Sequence, residues 1–138
     1  MLAVEGVREF VDANRHRKLA IASSSETAWL EGTLARLGLL APFGGRLYSA
    51  AGLPRGKPHP DIYLEAAAGL GAAPSACMVI EDHPVGVAAG AAAGMSVVAL
   101  LAAGHILPGH EERVRAAGAH HVARTYGEVT DIMRELEK

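Results

Sequence analysis

Apolar positions along the chain alternate between short continuous runs and helix-like spacing, and this alternation predicts βα units that form a parallel sheet. The apolar runs predict five strands, at residues 18–22, 46–49, 78–80, 96–101 and 121–123. Amphipathic segments predict six helices, at residues 4–14, 26–37, 61–69, 85–93, 111–117 and 126–137. The expected fold class is therefore α/β.

The composition fits one domain and excludes several classes of partner. The 138 residues are 50% hydrophobic but only 4% aromatic, which suits helices packed on a sheet rather than a β-sandwich. A formal net charge of −2 gives no electrostatic basis for binding nucleic acid or an anionic membrane. The single cysteine, Cys77, excludes an internal disulfide and favours a cytoplasmic location. The first residues lack a basic segment followed by an apolar core, so no signal peptide is expected.

Residues 85–104 form a run of twenty residues without a charge, which is long enough to suggest a membrane span. The first half of the run is rich in Ala and Gly, whereas the second half is a β-branched run typical of a buried strand. We therefore expect a short helix, a turn at Gly94 and Met95, and then a strand, rather than a membrane span.

Three polar groups follow predicted strands or precede helices, where ligands collect in open α/β sheets. The first is the serine run that begins at Ser23. One interpretation is a capping box between Ser23 and Glu26 at a helix start. The other is an anion site formed by a serine hydroxyl and the free N–H groups of that helix.

The second group is Lys57 and the third is the pair Glu81 and Asp82. Lys57 precedes Pro58, which keeps it out of the α region, so it is either an ordinary surface lysine or a cation held on a loop for phosphate. Adjacent strand residues point to opposite faces, so both acids can reach one crevice only at the strand end. They would then suit Mg²⁺; alternatively, Asp82 caps the next helix and Glu81 is exposed.

These three groups, in this order and each in its own strand context, resemble a known family. Three segments are similar to the second, third and fourth motifs of haloacid dehalogenase-like phosphatases: LAIAS at 19–23, GKPHPDIY at 56–63 and VIEDHPVGV at 79–87. The resemblance is strongest to the branch of phosphoglycolate phosphatases and β-phosphoglucomutases. In that branch the fourth motif commonly continues into an Ala-rich helix ending in Ala-Gly-Met, as at residues 93–95 here.

The resemblance implies a three-layer Rossmann-like parallel sheet with helices on both faces, and a Mg²⁺-dependent phosphohydrolase acting on a small phosphorylated metabolite. By the same resemblance, Ser23 and Ser24 bind the transferring phosphoryl group, and Lys57 neutralises it. Asp82, with Glu81, helps to hold Mg²⁺, and Lys57 and Asp82 are the expected catalytic residues.

The sequence departs from the family pattern at His83, where a small residue such as Ser is common. His83 could contact substrate or a water on the metal, or be a partly exposed loop histidine.

The larger departure is the absence of the family's first motif, an Asp-x-Asp pair that supplies the nucleophile and the general acid/base. The only aspartates are Asp12, Asp61, Asp82 and Asp131, and no two of them stand two residues apart. We therefore expect residues 1–138 to form a single core domain, incomplete at its N-terminal side and inactive by itself. The alternative is a catalytically inactive domain that binds a phosphorylated ligand or a partner chain.

The missing motif also predicts a missing strand. In the family the first strand lies between the Ser23 strand and the Glu81 strand, and its loss leaves two edges with unpaired backbone groups. Three outcomes follow: a second copy of the chain donates a strand, a preceding segment of a longer protein completes the sheet, or the sheet closes up. We expect the second.

Overall fold

A computed structural model of the protein describes residues 6–23, 25–101 and 108–137. Within these ranges the helices are α1 (Val7–Ala13), α2 (Thr27–Leu37), α3 (Asp61–Leu70), α4 (Pro84–Ala92), α5 (His110–Ala117) and α6 (Tyr126–Leu136). The strands in the same ranges are β1 (Ile21–Ser23), β2 (Leu47–Ser49), β3 (Met78–Glu81), β4 (Ser96–Leu100) and β5 (His121–Ala123). Short 3₁₀ turns lie at Ala41–Phe43, Ala50–Gly52 and Pro74–Ala76. The predicted α/β class and the predicted order of elements are confirmed.

All strand pairs are parallel, but the strands form two sheets instead of one. One sheet contains β1 and β2, and the other has the order β3-β4-β5. Strands β1 and β3 are not paired with each other, so the sheet has not closed up across the position of the missing strand. The structure therefore shows two half-sheets, separated where the resemblance predicts a central strand.

Helices cover both faces of the half-sheets, which confirms the three-layer architecture. Along β4, Val97 and Ala99 pack with α3, α4 and α5, whereas Val98 and Leu100 pack with α6. All four side chains are buried, as expected for a parallel strand covered on both faces. Helix α2 packs against the β1–β2 half-sheet through Leu30 and Leu34.

Two helical contacts span the separation between the half-sheets. On one face, Ile62 and Tyr63 of α3 belong to the same core as Ala22 of β1 and Val79 of β3. On the other face, α1 packs against α6, where the rings of Phe10 and Tyr126 lie 4.8 Å apart. In the part of the chain that the structure describes, the half-sheets are thus held together by helices, without a strand between them.

Two expectations about helix starts are corrected by the structure. The capping box is wrong: the N-cap of α2 is Glu26, and Ser23 Oγ instead accepts a hydrogen bond from the N–H of Ser25 at 3.0 Å. Asp82 does not cap α4 either, because that position belongs to His83, whose Nδ1 accepts from the N–H of Val85 at 3.3 Å. Both errors are shifts of one to three residues, within the usual uncertainty of helix starts.

The uncharged run at residues 85–104 has the expected structure as far as Leu101. It contains most of the nine-residue helix α4, a turn in which Gly94 adopts a φ of 84°, and strand β4. Within the described ranges, no helix is long and apolar enough to cross a membrane.

The bridging role of α3 predicts a large cost for truncating its buried side. Ile62 is fully buried in the core shared by both half-sheets, so Ile62→Ala removes a large side chain and leaves a cavity. We expect a loss of about 2–5 kcal/mol in the free energy of unfolding, measured by urea denaturation. Leu64→Ala, on the same helix but 43% exposed, is the matched control and is expected to change it by less than about 0.5 kcal/mol. Equal losses for the two variants would contradict the bridging role.

Candidate functional site

The residues singled out from the sequence lie around one cavity of about 960 Å³ between β1 and β3, called here the inter-sheet cavity. Ser23 ends β1, Glu81 ends β3, and Asp82 follows directly; all three line this cavity together with Lys57. Ser24, also predicted to bind phosphate, lies outside the described residues. The structure therefore brings Ser23, Lys57, Glu81 and Asp82 to the same end of the two half-sheets.

Glu81 is the most highly connected side chain at this end of the cavity. Its Oε2 accepts hydrogen bonds from the hydroxyl of Tyr63 at 2.9 Å and from Lys57 Nζ at 3.2 Å. Its Oε1 accepts from the backbone N–H groups of Asp82 at 3.1 Å and His83 at 3.3 Å. Four accepted bonds use the four lone-pair positions of a carboxylate. The carboxylate thereby fixes both the loop that carries Lys57 and the turn that carries Asp82.

The side chains of Lys57 and Glu81 form an ion pair in which each is only 14% exposed. Burial raises the pKa of Glu81, but the charge of Lys57 and the hydrogen bonds from Tyr63 and Lys57 outweigh it and hold that pKa below its usual range. Burial, followed by the nearby charge of Glu81, raises the pKa of the Tyr63 hydroxyl far above its ordinary value. Tyr63 is therefore a neutral donor to a charged Glu81.

Lys57 is held on the loop before α3 by more than its ion pair. Its ammonium also lies 5.4 Å from the centre of the Tyr63 ring, within the range of a cation–π contact. The peptide bond between Lys57 and Pro58 is cis. Because an ammonium has three N–H donors and Glu81 accepts one, two remain to bind an anion in the cavity.

Gly86 allows the first turn of α4 to lie against Glu81. A Cβ at this position would overlap the carboxyl group of Glu81, whereas Gly86 itself is buried in contact with it. The glycine in the VIEDHPVGV segment is thus required by a close approach rather than by an unusual φ.

The turn after β1 presents the Ser23 hydroxyl in an arrangement that differs from a helix cap. Ser23 Oγ accepts one hydrogen bond from Ser25 N–H, which leaves its own proton to donate. Ser49 Oγ at the end of β2 donates to the carbonyl of Ser25 at 2.6 Å, tying the two strand ends together. Ser23 and Ser25 are therefore each held by a hydrogen bond.

Asp82 is the exposed acid of the pair. Burial of part of the carboxyl group, with the adjacent Glu81 charge and hydrogen bond, raises the pKa of Asp82 above its ordinary value. The backbone carbonyl of Asp82 lies 2.7 Å from His110 Nε2 at the start of α5. His83 is exposed and caps α4 through Nδ1, so its predicted contact with substrate or a metal-bound water stays a prediction.

The three remaining aspartates do not line the inter-sheet cavity. Asp12 pairs with Arg15 at 2.9 Å within α1, Asp61 pairs with Arg55 at 2.7 Å, and Asp131 is mostly exposed near Arg134 on α6. Only Asp82 is placed where an aspartate could approach a ligand bound between Ser23 and Lys57.

The carboxylates fit a magnesium ion only in part. Asp82 is accessible and has the hard oxygens that Mg²⁺ prefers, but every lone-pair position of Glu81 is already occupied in this arrangement. Across the described ranges, no group of three or more His, Cys, Asp and Glu residues could hold a metal. A magnesium ion would therefore rest on Asp82, water and ligand oxygens, with Glu81 as the supporting group.

A shallow depression of about 410 Å³ elsewhere on the protein is a poor candidate for an anion site. Glu26 and Glu65 contribute two carboxylates to its lining, and none of the described residues that line it is cationic. The inter-sheet cavity is thus the better candidate.

Two contacts at the site had little or no sequence signal. The hydroxyl of Tyr63 reaches Glu81 from two residues into α3, and His110 reaches Asp82 across 28 residues. A tyrosine on the buried side of a helix is ordinarily a core residue, and nothing local to His110 indicates its distant partner.

A serine and two acids at the carboxyl ends of parallel strands, with a lysine on the loop before α3, form a candidate anion site in an α/β fold. The comparisons agree: residues 2–94 match the family model described as haloacid dehalogenase-like hydrolase. The chain belongs to this family.

Two curated relatives indicate the branch. Hexitol phosphatase B of Escherichia coli (strain K12) is 41% identical over 92 residues, which are 65% of this chain and 41% of that protein. Beta-phosphoglucomutase of Bacillus subtilis (strain 168) is 40% identical over 85 residues, covering 62% of this chain and 36% of that protein. The chain thus spans less than half the length of these curated relatives.

Solved structures match nearly the whole chain. A haloacid dehalogenase-like protein from Agrobacterium tumefaciens superposes with a TM-score of 0.88 at 32% identity, covering 98% of this chain and 61% of that one. A family hydrolase from Deinococcus radiodurans, solved with bound phosphate and sodium, has a TM-score of 0.85 at 37% identity, covering 96% and 59%. The resemblance to the branch of phosphoglycolate phosphatases and β-phosphoglucomutases is confirmed.

Close packing at Gly86 predicts a specific loss of stability. Gly86→Ala would push a methyl group into the Glu81 carboxyl and disturb its bonds to Lys57 and Tyr63. We expect a cost of about 1–3 kcal/mol in the free energy of unfolding, measured by chemical denaturation.

Gly32→Ala in α2 is the matched control, because the added Cβ would meet only the flexible end of Arg36 at 3.6 Å. Alanine is the better helix former, so this variant is expected to be neutral or more stable by up to about 1 kcal/mol. If Gly86→Ala leaves the free energy of unfolding unchanged, the Glu81 carboxyl group does not need the space next to Gly86.

Proposed function

We propose that the chain is the phosphate- and metal-binding core of a Mg²⁺-dependent phosphohydrolase that acts on a small phosphorylated metabolite. The observation that supports this function is the convergence of Ser23, Lys57 and Asp82 on one end of the inter-sheet cavity. The names of two relatives, a hexitol phosphatase and a phosphoglucomutase, support a sugar phosphate or a similar small ester as substrate.

Phosphate binding is assigned to Ser23, Ser24 and Lys57. The Ser23 hydroxyl has a proton to donate, and Lys57 has two N–H donors beyond the one that Glu81 accepts. Charge-assisted hydrogen bonds of this kind are stronger than neutral ones, especially where water is partly excluded. A lysine fixed before the ligand arrives also needs little reorganisation to stabilise charge that develops on a phosphoryl group.

Metal binding is assigned to Asp82 with support from Glu81. When bound, Mg²⁺ would neutralise charge on the phosphate oxygens. Glu81 orients the Asp82 turn through two backbone N–H groups and holds Lys57 through an ion pair. We propose a cytoplasmic location, on the single cysteine.

The nucleophile is proposed to lie outside these residues. Three of the four aspartates are on other surfaces, and Asp82 is assigned to the metal. The chain also spans about 60% of the solved relatives' chains, so a substantial part of each relative has no counterpart here. The chain by itself would bind phosphate without hydrolysing esters.

Inorganic phosphate should bind at the Ser23–Lys57 end of the cavity. With phosphate titrated into the purified chain and followed by NMR, we expect shifts at the amides of Ser23, Ser25 and Asp82. Lys57→Met and Ser23→Ala should each weaken binding by roughly tenfold or more, the value of a hydrogen bond to a charged group.

Lys18→Met is the control for the first variant, because Lys18 also lines the cavity but donates to the carbonyl of Leu70 instead. It should leave phosphate binding unchanged. Because Lys57→Met also leaves Glu81 without its cation, circular dichroism must show that the variant is folded. Binding unaffected by both Lys57→Met and Ser23→Ala would rule out this assignment.

The purified chain should show no phosphatase activity towards p-nitrophenyl phosphate with Mg²⁺, because no aspartate is available as nucleophile. The measurement is release of nitrophenolate above a no-protein blank. Activity that is abolished by Asp82→Asn would show that the nucleophile is present after all.

A second candidate is a catalytically inactive domain that binds a phosphorylated ligand or a partner chain. The separation of the two half-sheets favours it, since a partner could fill the space. Phosphate binding without activity, even after a complementing segment is supplied, would favour this candidate.

A further inference from the structure

The hydroxyl of Ser49, at the end of β2, belongs to a series of hydrogen bonds that leads to Ser23. Its Oγ accepts from the backbone N–H of Ala51 at 3.1 Å and donates to the carbonyl of Ser25 at 2.6 Å. The N–H of Ser25 in turn donates to Ser23 Oγ at 3.0 Å. The Ser23 hydroxyl then keeps its own proton to donate to a ligand. These four residues are called here the serine network.

The serine network fixes the turn that follows β1. Both backbone polar groups of Ser25 are engaged, its C=O by Ser49 and its N–H by Ser23. The N–H of Ala51 occupies a lone pair of Ser49 Oγ, so the hydroxyl of Ser49 is itself oriented. Hydroxyl groups that accept and donate at once polarise one another, which strengthens the bond that the last of them donates. The hydroxyl at the end of this network is that of Ser23.

Strand pairing brings Ser49 to this position. Ser23 and Ser49 are register partners at the carboxyl ends of the parallel strands β1 and β2. A side chain at the end of β2 therefore lies beside the turn after β1, although 24 residues separate Ser49 from Ser25 in the chain. The contact depends on this register, and a local sequence pattern does not indicate it.

Ser49 lies outside the inter-sheet cavity. The described residues that line this cavity include Ser23 and Lys57 but not Ser49. Ser49 instead lines the shallow depression that also contains Glu26. It can therefore influence a ligand in the inter-sheet cavity only through the turn, and not by direct contact.

We propose that Ser49 is a positioning residue for phosphate binding, which holds the turn after β1 so that the Ser23 hydroxyl is directed at a phosphate in the inter-sheet cavity. The inference rests on the proposed function, in which Ser23 binds phosphate, and adds a residue that does not contact the ligand. A hydroxyl that is oriented before the ligand arrives loses less conformational freedom on binding. Removing the hydroxyl of Ser49 therefore weakens phosphate binding while the hydrogen bonds of Lys57 remain.

Ser49→Thr and Ser49→Val are a matched pair of variants for the test. Thr and Val have nearly the same shape, and both suit the extended backbone of Ser49, but only Thr keeps a hydroxyl. Ser49 is half-buried and borders the open depression, which leaves space for an added methyl group. A role in packing alone would not distinguish the two variants.

The first measurement is the dissociation constant of inorganic phosphate, titrated into the 138-residue chain and followed by NMR. We expect Ser49→Val to weaken binding roughly fivefold, the value of one neutral hydrogen bond, and Ser49→Thr to bind within about twofold of the wild type. Ser75→Ala is the control, because Ser75 lines the same cavity but precedes β3, and it should leave the constant unchanged. Equal constants for the Thr and Val variants would contradict the proposal.

The second measurement is hydrogen exchange without phosphate, which reports on the turn itself. Ser49→Val should speed exchange at the amide of Ser25 by roughly fivefold, whereas Ser49→Thr should leave it unchanged. The amides of β4, in the other half-sheet, are the internal reference and should exchange alike in both variants. Equal acceleration at β4 and at Ser25 would show a general loss of stability and count against positioning. Ser49→Ala, which adds no bulk, should behave as Ser49→Val does.

A double-mutant cycle identifies the route of the effect. In a Ser23→Ala background the loss caused by Ser49→Val should largely disappear, because the hydroxyl through which Ser49 acts is gone. In a Lys57→Met background the full loss should remain. A full loss in the Ser23→Ala background would show that Ser49 acts by another route, and the inference would be wrong.

A failure of the proposed function gives a different result from a failure of this inference. If the wild type binds phosphate and the Thr and Val variants bind equally well, the proposed function stands and only the role of Ser49 is overturned. If the wild type does not bind phosphate, the proposed function fails and phosphate is not the ligand. Exchange at Ser25 then decides whether Ser49 controls the turn: faster exchange in Ser49→Val alone supports this control, and equal rates in both variants exclude it.

Discussion

The ion pair between Lys57 and Glu81 is the interaction on which the candidate site depends. It joins the loop before α3 to the end of β3, and the same carboxylate holds the backbone of Asp82 and His83. Removing one partner of a buried pair generally costs about 3–5 kcal/mol, because the other charge is left uncompensated. Here that loss would also release both residues proposed to contact phosphate and metal.

Tyr63 and Gly86 make this buried pair possible. Tyr63 supplies a neutral donor to the same oxygen that Lys57 contacts, and Gly86 leaves room for the carboxyl group against α4. The position of Glu81 depends on the space that Gly86 leaves, and the position of Lys57 depends in turn on Glu81. A site that appears in sequence as three separate polar groups is physically one network.

The sequence predicted the α/β class and the eleven helices and strands of the described ranges. It also singled out Ser23, Lys57, Glu81 and Asp82, which the structure places around one cavity. Those features depend on local periodicity and on motifs, which are contiguous in the chain. It failed at the helix starts near Ser23 and Asp82, because capping depends on backbone angles that several polar residues can satisfy. It did not indicate His110 beside Asp82 or the four bonds of Glu81, because both require distant segments to meet.

The separation into two half-sheets also has a meaning for folding. The β1–β2 half is built from residues before 50, and the β3-β4-β5 half from residues after 77, so each half is contiguous in the chain. Each half can form from contacts within its own stretch of the chain, so its strand pairing does not depend on the other half. Helix α3 and the contact of α1 with α6 then join two cooperative units. Breaking these contacts would separate the two units, and such partial opening would require less free energy than global unfolding. The protein therefore consists of two small folding units joined by helices, and the candidate functional site lies where the two units meet.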